Sequence, residues 1–132
     1  MFSSSRVRVA GGYSRSLLLV VLLVGLLPQL SSAANKPPVI SGTPPTTATV
    51  GKLYSFTAKA TDPDGSYVGF GISNQPSWAT FDRTTGTLKG TPTKTGTYTG
   101  VKIYAWDGVS SAALPLFTIT VKAATSNLAP TI

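Results

Sequence analysis

Several chemically versatile side chains are missing from this chain of 132 residues, which has no cysteine and no histidine and carries only four acidic residues, all of them aspartate. Without cysteine no disulfide can form, so a small domain must be held together by core packing, neighbouring domains or bound ions. Without histidine and glutamate the chain lacks the commonest general base, the commonest zinc ligand and half of the usual carboxylate supply. Its serines and threonines lack the usual base, and we expect no enzymatic activity.

Long apolar segments are also scarce, and the one continuous run, Leu17 to Leu27, has eleven residues. A transmembrane helix needs about 20, so this run is too short to span a bilayer. A basic stretch with three arginines precedes it, and Ser32-Ala33-Ala34 follows as a small-residue cleavage site. This order is typical of a signal peptide. We predict that residues 1–34 are removed and that the protein is exported, either secreted or held at the cell surface or membrane by parts outside this sequence.

The net charge of +7 overstates the positive charge of the mature chain. Three of the eleven cationic residues leave with the signal peptide, and the remaining eight face four aspartates, which leaves +4. These cations are scattered singly, without basic and aromatic clusters, a distribution that suits solubility and the protection of strand edges. We therefore expect no nucleic-acid partner.

The mature sequence is rich in threonine, glycine, proline, valine and isoleucine and has no helical periodicity. Leu53 to Ala60 alternates between apolar and polar residues, as a half-buried strand does. In the longest predicted strand, Thr97 to Trp106, the alternation breaks, which predicts a bulge near Thr99-Gly100. The last predicted strand, Leu114 to Val121, contains Pro115 and therefore needs an edge position or a bulge.

About seven short strands, with turn signals every 8–12 residues, predict an all-β fold, an antiparallel β-sandwich over residues 35–124. Trp78 and Phe81, in a loop-like segment, are expected to close its core. The opening Asn35-Lys36-Pro37-Pro38-Val39-Ile40 is echoed by Asn127-Leu128-Ala129-Pro130-Thr131-Ile132, 92 residues later. A repeat of one domain length indicates a tandem array, so residues 125–132 are predicted to be a linker and the start of a second repeat.

The segment Asp62-Pro63-Asp64-Gly65 has two interpretations, a tight turn or a cation-binding loop. Asp followed by Pro and then Gly is what a type I turn prefers. An EF-hand is excluded because position 12 of such a loop would be Ser73 instead of Glu. In a sandwich, however, this loop and the turn at Asp107 meet at one end, near Asn35. Three carboxylates gathered there repel one another unless they are hydrated or bridged by a hard cation.

The chain from Asn35 to Val121 resembles the immunoglobulin-like and dystroglycan-type cadherin-like repeats. The motifs that carry the resemblance are Gly51 and Tyr54-x-Phe56, Asp62-Pro63-Asp64-Gly65, Pro76-x-Trp78, Phe81-Asp82 with Thr85-Gly86, Gly90-Thr91-Pro92, and Asp107-Gly108. The resemblance implies an immunoglobulin/cadherin-like sandwich that works as a spacer or adhesion module in a secreted or surface protein. The implied partners are neighbouring repeats of the same polypeptide and a cell-surface protein or polysaccharide.

Calcium-binding cadherin repeats use the corresponding aspartates and a linker asparagine as ligands between consecutive domains. By that resemblance Asp62, Asp64, Asp107 and Asn35 are candidate Ca²⁺ ligands, with Asp82 and Asn127 as candidates at the far end. Cadherins carry a Glu after the Asp-Arg step, whereas this chain has Thr84. Fewer charged ligands predict a weak site, in the roughly millimolar range of extracellular modules.

Two aromatic residues suggest a rival role as a carbohydrate-binding accessory module of a secreted enzyme. Tyr104 and Trp106 have the parity opposite to the inward-facing residues of their strand, so both are candidates for exposure on one sheet face. Exposed aromatic rings often mark recognition sites. The alternative is that the two rings pack in a second core layer or cover the sheet edge.

Overall fold

The structure, a computed structural model, describes residues 32–127, 130 and 131. The predicted signal peptide lies outside the described residues except for its last three positions, and its removal stays a prediction. Ala34–Ile132 form one compact unit. No helix among the described residues is long and apolar enough to cross a membrane.

Short strands and connecting turns make up the described part of the chain. In chain order the strands are β1 (Val39–Ser41), β2 (Thr47–Thr49), β3 (Tyr54–Thr57), β4 (Lys59–Thr61), β5 (Gly69–Ser73), β6 (Ala79–Asp82), β7 (Thr87–Gly90), β8 (Gly96–Trp106), β9 (Ser111–Ala113) and β10 (Phe117–Lys122). Their number exceeds the expected seven because Leu53 to Ala60 is divided into β3 and β4, and because β6 and β9 also pair. The prediction of an all-β sandwich is confirmed.

One layer of the sandwich consists of two groups of strands. β1 pairs with β4, and β3, β7 and β6 are neighbours in that order; all of these pairs are antiparallel. A single residue, Ala58, separates β3 from β4, so the two strands carry the chain along the whole layer. Tyr54, Phe56 and Ala58 are buried while the residues between them are exposed. The alternation predicted for this segment is therefore present, and its apolar side faces the core.

The second layer has the strand order β2-β10-β8-β5, with β9 beside the second half of β8. Its pairs are antiparallel except for β2, which runs parallel to β10. The expectation of a purely antiparallel sandwich is corrected at this one pair. After β1 the chain crosses from the first layer to the edge of the second. There β2 runs in the same direction as β10, so the two strands pair in parallel.

The core lies between the layers. Leu88 of the first layer and Val101, Ile103 and Ile119 of the second have no exposed surface. Burial of such side chains contributes roughly 1.5–3 kcal/mol each, which is the main stabilising contribution available without disulfides.

An aromatic cluster closes one side of the core. Trp78 meets Tyr54 and Tyr98 edge to face, with ring centroids 5.6 Å and 6.0 Å apart. The Tyr54 hydroxyl donates to the Pro45 carbonyl at 2.9 Å, and burial raises the pKa of Tyr54 to about 12. Phe81 also packs against the core. The prediction that Trp78 and Phe81 would close the core is confirmed.

The predicted irregularity in β8 is present. Ile119 pairs with Tyr98 and Phe117 with Val101, so β8 holds one more residue than β10 between these two pairs. Gly100 lies at this point with a φ of 65°, a left-handed conformation that glycine adopts without steric cost. The extra residue turns Tyr98 to the same side as Val101, as the broken alternation predicted.

The last predicted strand is shorter than expected. Leu114 to Leu116 connect β9 to β10 instead of belonging to a strand. Proline has no backbone N–H and cannot donate to a ladder, so Pro115 interrupts the pairing. Leu114 is still anchored, because its amide donates to the Ile103 carbonyl at 2.9 Å and its side chain is buried.

Candidate functional site

The topology gathers three segments at one end of the sandwich, which we call the N-terminal end: residues 35–38, 62–68 and 107–110. Thr61, the last residue of β4, pairs with Val39 of β1. Trp106, the last residue of β8, pairs with Gly69 and Ser111. The loop after β4 and the turn after β8 therefore both adjoin the incoming chain.

The first aspartate loop forms the predicted turn. The Gly65 amide donates to the Asp62 carbonyl at 3.1 Å, and Gly65 has a φ of 77°. Oδ1 of Asp62 accepts hydrogen bonds from the amides of Asp64 at 2.8 Å and Ser66 at 3.1 Å. One oxygen of the first carboxylate is thus used to hold its own loop.

The second aspartate turn has the same design and also reaches the incoming chain. Oδ1 of Asp107 accepts hydrogen bonds from the amides of Val109 at 2.7 Å and Ser110 at 2.6 Å. Its Oδ2 accepts one from the Asn35 side-chain amide at 2.9 Å. The Ser110 amide, the Asn35 side chain and the Val109 amide, in that order, hold the pKa of Asp107 below its usual value.

The incoming chain is held at two further points. Oδ2 of Asp64 accepts a hydrogen bond from the Lys36 amide at 2.7 Å, and Asn35 donates to the Ser110 hydroxyl at 3.1 Å. Asp64, Asp107 and Asn35 thus belong to one hydrogen-bonded group that also contains Lys36 and Ser110. Sequence reasoning did not include these last two; a serine three residues after an aspartate is a turn pattern that could have indicated Ser110.

The donor set fits a cation only in part. Oδ2 of Asp62 is buried and accepts no hydrogen bond from any described residue, so a cation would supply a partner that this oxygen lacks. Within the described part of the chain, however, no three acidic, histidine or cysteine side chains are placed to hold one metal ion. The residues at this end would therefore supply only some of the ligands of a cation.

Asp82 does not lie at the far end of the domain as expected. β6 begins beside Gly90, at the far end, and runs toward the end that carries the aspartate turns. Just after β6, the Arg83 carbonyl accepts a hydrogen bond from the amide of Phe70, near the start of β5. Asp82 accepts hydrogen bonds from the amides of Thr84 at 2.8 Å and Thr85 at 3.2 Å. These bonds, that from Thr84 first, hold its pKa below the usual value.

Asn127, the other far-end candidate, follows β10 and is exposed. Asp82 is the last residue of β6 and lies on the side of the sandwich away from the last residue of β10. The structure therefore does not bring Asp82 and Asn127 together. The sequence placed Asp82 at the wrong end because an aspartate followed by a turn has the same sequence pattern at either end of a sandwich.

The two aromatic candidates lie on the outer face of the second layer. Trp106 is 53% exposed, whereas Tyr104 is half-buried because its ring lies over Gly71 on the neighbouring strand, where a Cβ atom would collide with it. Tyr67, which sequence reasoning missed, is 75% exposed and lies close to Gly69, the pairing partner of Trp106. We call these three residues the aromatic strip, because each adjoins or pairs with Gly69 or Gly71 of β5.

A sequence model of the He_PIG family, described as "Putative Ig domain", matches residues 37–126. Among curated proteins, none matches the chain significantly.

Solved structures are similar in fold. One is the SrpA adhesin of Streptococcus sanguinis, with 18% identity and a TM-score of 0.53 over 70% of this chain and 60% of the adhesin. Another is a putative α-galactosidase of Bacteroides fragilis, with 15% identity and a TM-score of 0.52 over 72% of this chain and 19% of the galactosidase. This chain thus spans about a fifth of the latter and three fifths of the former. At these identities the likeness shows the fold alone.

Proposed function

Since the chain belongs to the He_PIG family of Ig domains, we propose that it is a non-catalytic spacer or adhesion module of an exported protein and that it works in a row of similar domains. The observation that carries the proposal is the path of the chain. It is held by hydrogen bonds at the N-terminal end, through Asn35 and Lys36, and β10 runs to the opposite end. A domain with this path transmits orientation and force from one neighbour to the next.

The absence of catalysis is proposed on chemical grounds. A general acid needs a carboxyl group whose pKa is raised toward the working pH. Asp82 and Asp107 have the opposite property, because amide hydrogen bonds lower the pKa of both. Their carboxylates are suited to holding turns or attracting cations.

Small-angle X-ray scattering of a two-domain protein tests the spacer role. Its sequence is residues 35–126 followed directly by residues 35–127, which preserves the 92-residue repeat. We expect an extended particle close to two domain lengths. A compact, side-by-side particle would sink the spacer proposal, because force could not then pass along the row.

For the N-terminal end we propose weak Ca²⁺ binding by Asp62, Asp64, Asp107 and Asn35. The proposal is supported by Oδ2 of Asp62, which is buried and has no hydrogen-bond partner in the described part of the chain. With a dissociation constant of about 1 mM, a calcium concentration of 10 mM would stabilise the fold by about 1.4 kcal/mol. For a domain of this size that is a rise of about 6–11 °C in melting temperature.

Thermal melts of the mature chain with calcium and with chelator measure this rise. Asp62→Asn should reduce the shift, and Asp82→Asn, a carboxylate outside the N-terminal end, should leave it unchanged. Equal melting temperatures in calcium and chelator would end the calcium proposal and leave the spacer role intact.

A second candidate function, carbohydrate binding, is favoured by the aromatic strip of Tyr67, Trp106 and Tyr104. Exposed planar rings offer apolar faces with polar edges, which suits the alternating surfaces of a sugar ring. We expect soluble polysaccharides to change the fluorescence of the exposed Trp106 while Trp78, half-buried at the other end of the sandwich, reports little. Trp106→Ala should remove the response, and Leu53→Ala, which truncates a residue 70% exposed elsewhere, should not. No response across a broad panel of polysaccharides would exclude this function.

A further inference from the structure

The end of the sandwich opposite to the aspartates is basic. It comprises residues 50–53, 74–78, 91–95 and 123–127, and we call it the C-terminal end. Lys52, Lys94 and Lys122 lie in or beside these segments, and all three are exposed. None of the four aspartates of the chain lies there, because three belong to the N-terminal end and Asp82 is the last residue of β6, which runs away from the C-terminal end.

Backbone hydrogen bonds tie the lysine-bearing segments together. The amide of Val50 donates to the carbonyl of Lys122, and the amide of Gly51 donates to that of Pro92, both at 2.9 Å. The three lysines are therefore presented by one ordered surface, so their charges act on a neighbour together.

This surface also contains a hollow. A cavity of about 280 Å³ is lined by Ser77, Trp78, Thr93, Lys94 and Tyr98. Beside it the indole N–H of Trp78 is buried without a hydrogen-bond partner among the described residues. A concave surface with hydroxyls, one lysine and an unpaired donor is suited to an acceptor-rich convex loop.

The N-terminal end has the opposite net charge, because its three aspartates outnumber its one cationic residue, Lys36. The Asp64 side chain is exposed there and that of Asp107 is half-buried, so both carboxylates are accessible to a neighbouring domain. We propose that the C-terminal end of this domain binds the aspartate-bearing N-terminal end of a following repeat of the same kind, with Lys52, Lys94 and Lys122 as the counter-charges.

The inference rests on the proposed row of domains and adds how its members meet. A head-to-tail contact joins two different surfaces of the same fold, so it can be repeated along a row. Opposite charges on these surfaces favour that order and oppose head-to-head and tail-to-tail contacts, in which like charges would meet. The asparagine that holds the incoming chain here, Asn35, has its counterpart in Asn127 just after β10. The following repeat would thus begin directly at the basic surface.

Nuclear magnetic relaxation of the two-domain protein described above tests the inference. If the two domains are in contact, they tumble as one body, and the correlation time of each is well above that of a single domain. Replacing Lys52, Lys94 and Lys122 of the first domain by serine should bring both correlation times down toward the single-domain value. The same loss is expected in 1 M salt, where the Debye length is about 3 Å.

A matched control removes three positive charges elsewhere. Lys59, Arg83 and Lys102 are also exposed and lie away from the C-terminal end, so replacing them by serine should leave joint tumbling unchanged. Chelator should also leave it unchanged, because the lysine side chains supply enough positive charge for the contact without calcium.

Each other result counts against the inference. Joint tumbling that survives the triple lysine replacement overturns it and leaves the spacer role standing. Joint tumbling that needs calcium also overturns it and favours an ion between the domains. Independent tumbling of the unaltered domains, with calcium and with chelator, overturns both the contact and a stiff row.

Discussion

At the scale of the residue, the aspartates of this protein act first on their own backbone. Asp62, Asp82 and Asp107 each accept hydrogen bonds from two amides that follow them within four residues. At Asp82 and Asp107 such bonds take the place of water around the carboxylate and stabilise its charged form. The N-terminal end differs in its other carboxylate oxygens. Those of Asp64 and Asp107 accept hydrogen bonds from the incoming chain, and Oδ2 of Asp62 has no partner among the described residues.

The lowered pKa of Asp107 predicts a dependence of stability on acid. A carboxyl group with a lower pKa in the folded state adds stability above its unfolded value of 3.8. That stability is lost as the pH falls through the folded-state pKa. Asp107→Asn keeps an acceptor oxygen and removes the charge. We expect it to lower the melting temperature at pH 7 and to narrow the difference between the melting temperatures at pH 7 and pH 2.

Thermal melts of both proteins between pH 2 and pH 7 measure this effect. Asp82→Asn should behave in the same way, since its pKa is lowered by the same kind of bond. If the melting temperature of a variant changed with pH in parallel with that of the unaltered protein over the whole range, the lowered pKa assigned to that aspartate would be wrong.

At the scale of the element, the longest strand depends on one irregular residue. β8 pairs with β5, β9 and β10 and supplies Val101 and Ile103 to the core. Its bulge at Gly100 sets the register with β10, and a shift of one residue would turn the apolar side chains of a strand outward.

Replacement of Gly100 by alanine should therefore destabilise the domain. A left-handed backbone conformation costs a residue with a Cβ atom about 1–2 kcal/mol. No backbone atom lies within contact distance of the Cβ atom that would be added, so the cost is conformational. The control is Gly96→Ala in the same strand, where φ is not positive and the nearest atoms are in ordinary contact. Urea unfolding should show a loss for Gly100→Ala larger by about 1 kcal/mol; equal losses would refute the role of the bulge.

At the scale of the whole molecule, two layers share one core and are expected to unfold together. Leu88 lies centrally in the first layer, is fully buried, and pairs across its layer with Phe56 and Phe81. A leucine-to-alanine change in such a site costs about 2–5 kcal/mol, a large part of the roughly 5–15 kcal/mol that stabilises an ordinary domain.

Leu88→Ala should therefore lower the unfolding midpoint strongly and by the same amount for every probe. Tryptophan fluorescence and far-ultraviolet circular dichroism in a urea titration supply two independent probes. Val109→Ala, at a position 75% exposed, is the control and should change the midpoint little. Midpoints that separate between the two probes would show that the layers unfold independently.

The arrangement of charge also belongs to this scale. The mature chain reads as a scatter of single lysines and aspartates, from which the sequence predicted only solubility and protected edges. Folding sorts most of the aspartates to one end and three lysines to the other, because successive strands run in opposite directions and deliver alternate loops to opposite ends. The head-to-tail contact proposed above arises from this sorting.

Much of the fold could be predicted from local patterns. Alternation identified the strand from Leu53 to Ala60, its break identified the bulge at Gly100, and the residue order of the first aspartate loop identified a turn. These features depend on residues close together in the sequence, where side-chain size, period and backbone freedom act directly. The parallel pair of β2 and β10 was not predicted, because it joins residues about 70 positions apart and has no local signal.

The sequence by itself thus determined which segments are strands, which residues face the core, and that no thiol, imidazole or glutamate chemistry is available. Only the tertiary structure decided which loops share an end. It brought Asn35 and Lys36 to two aspartate turns, placed Asp82 away from the expected end, and set Tyr67 beside Gly69, the strand partner of Trp106. The physical reason is that local patterns follow from interactions between near neighbours, whereas the composition of an end follows from the direction and pairing of strands far apart in the chain.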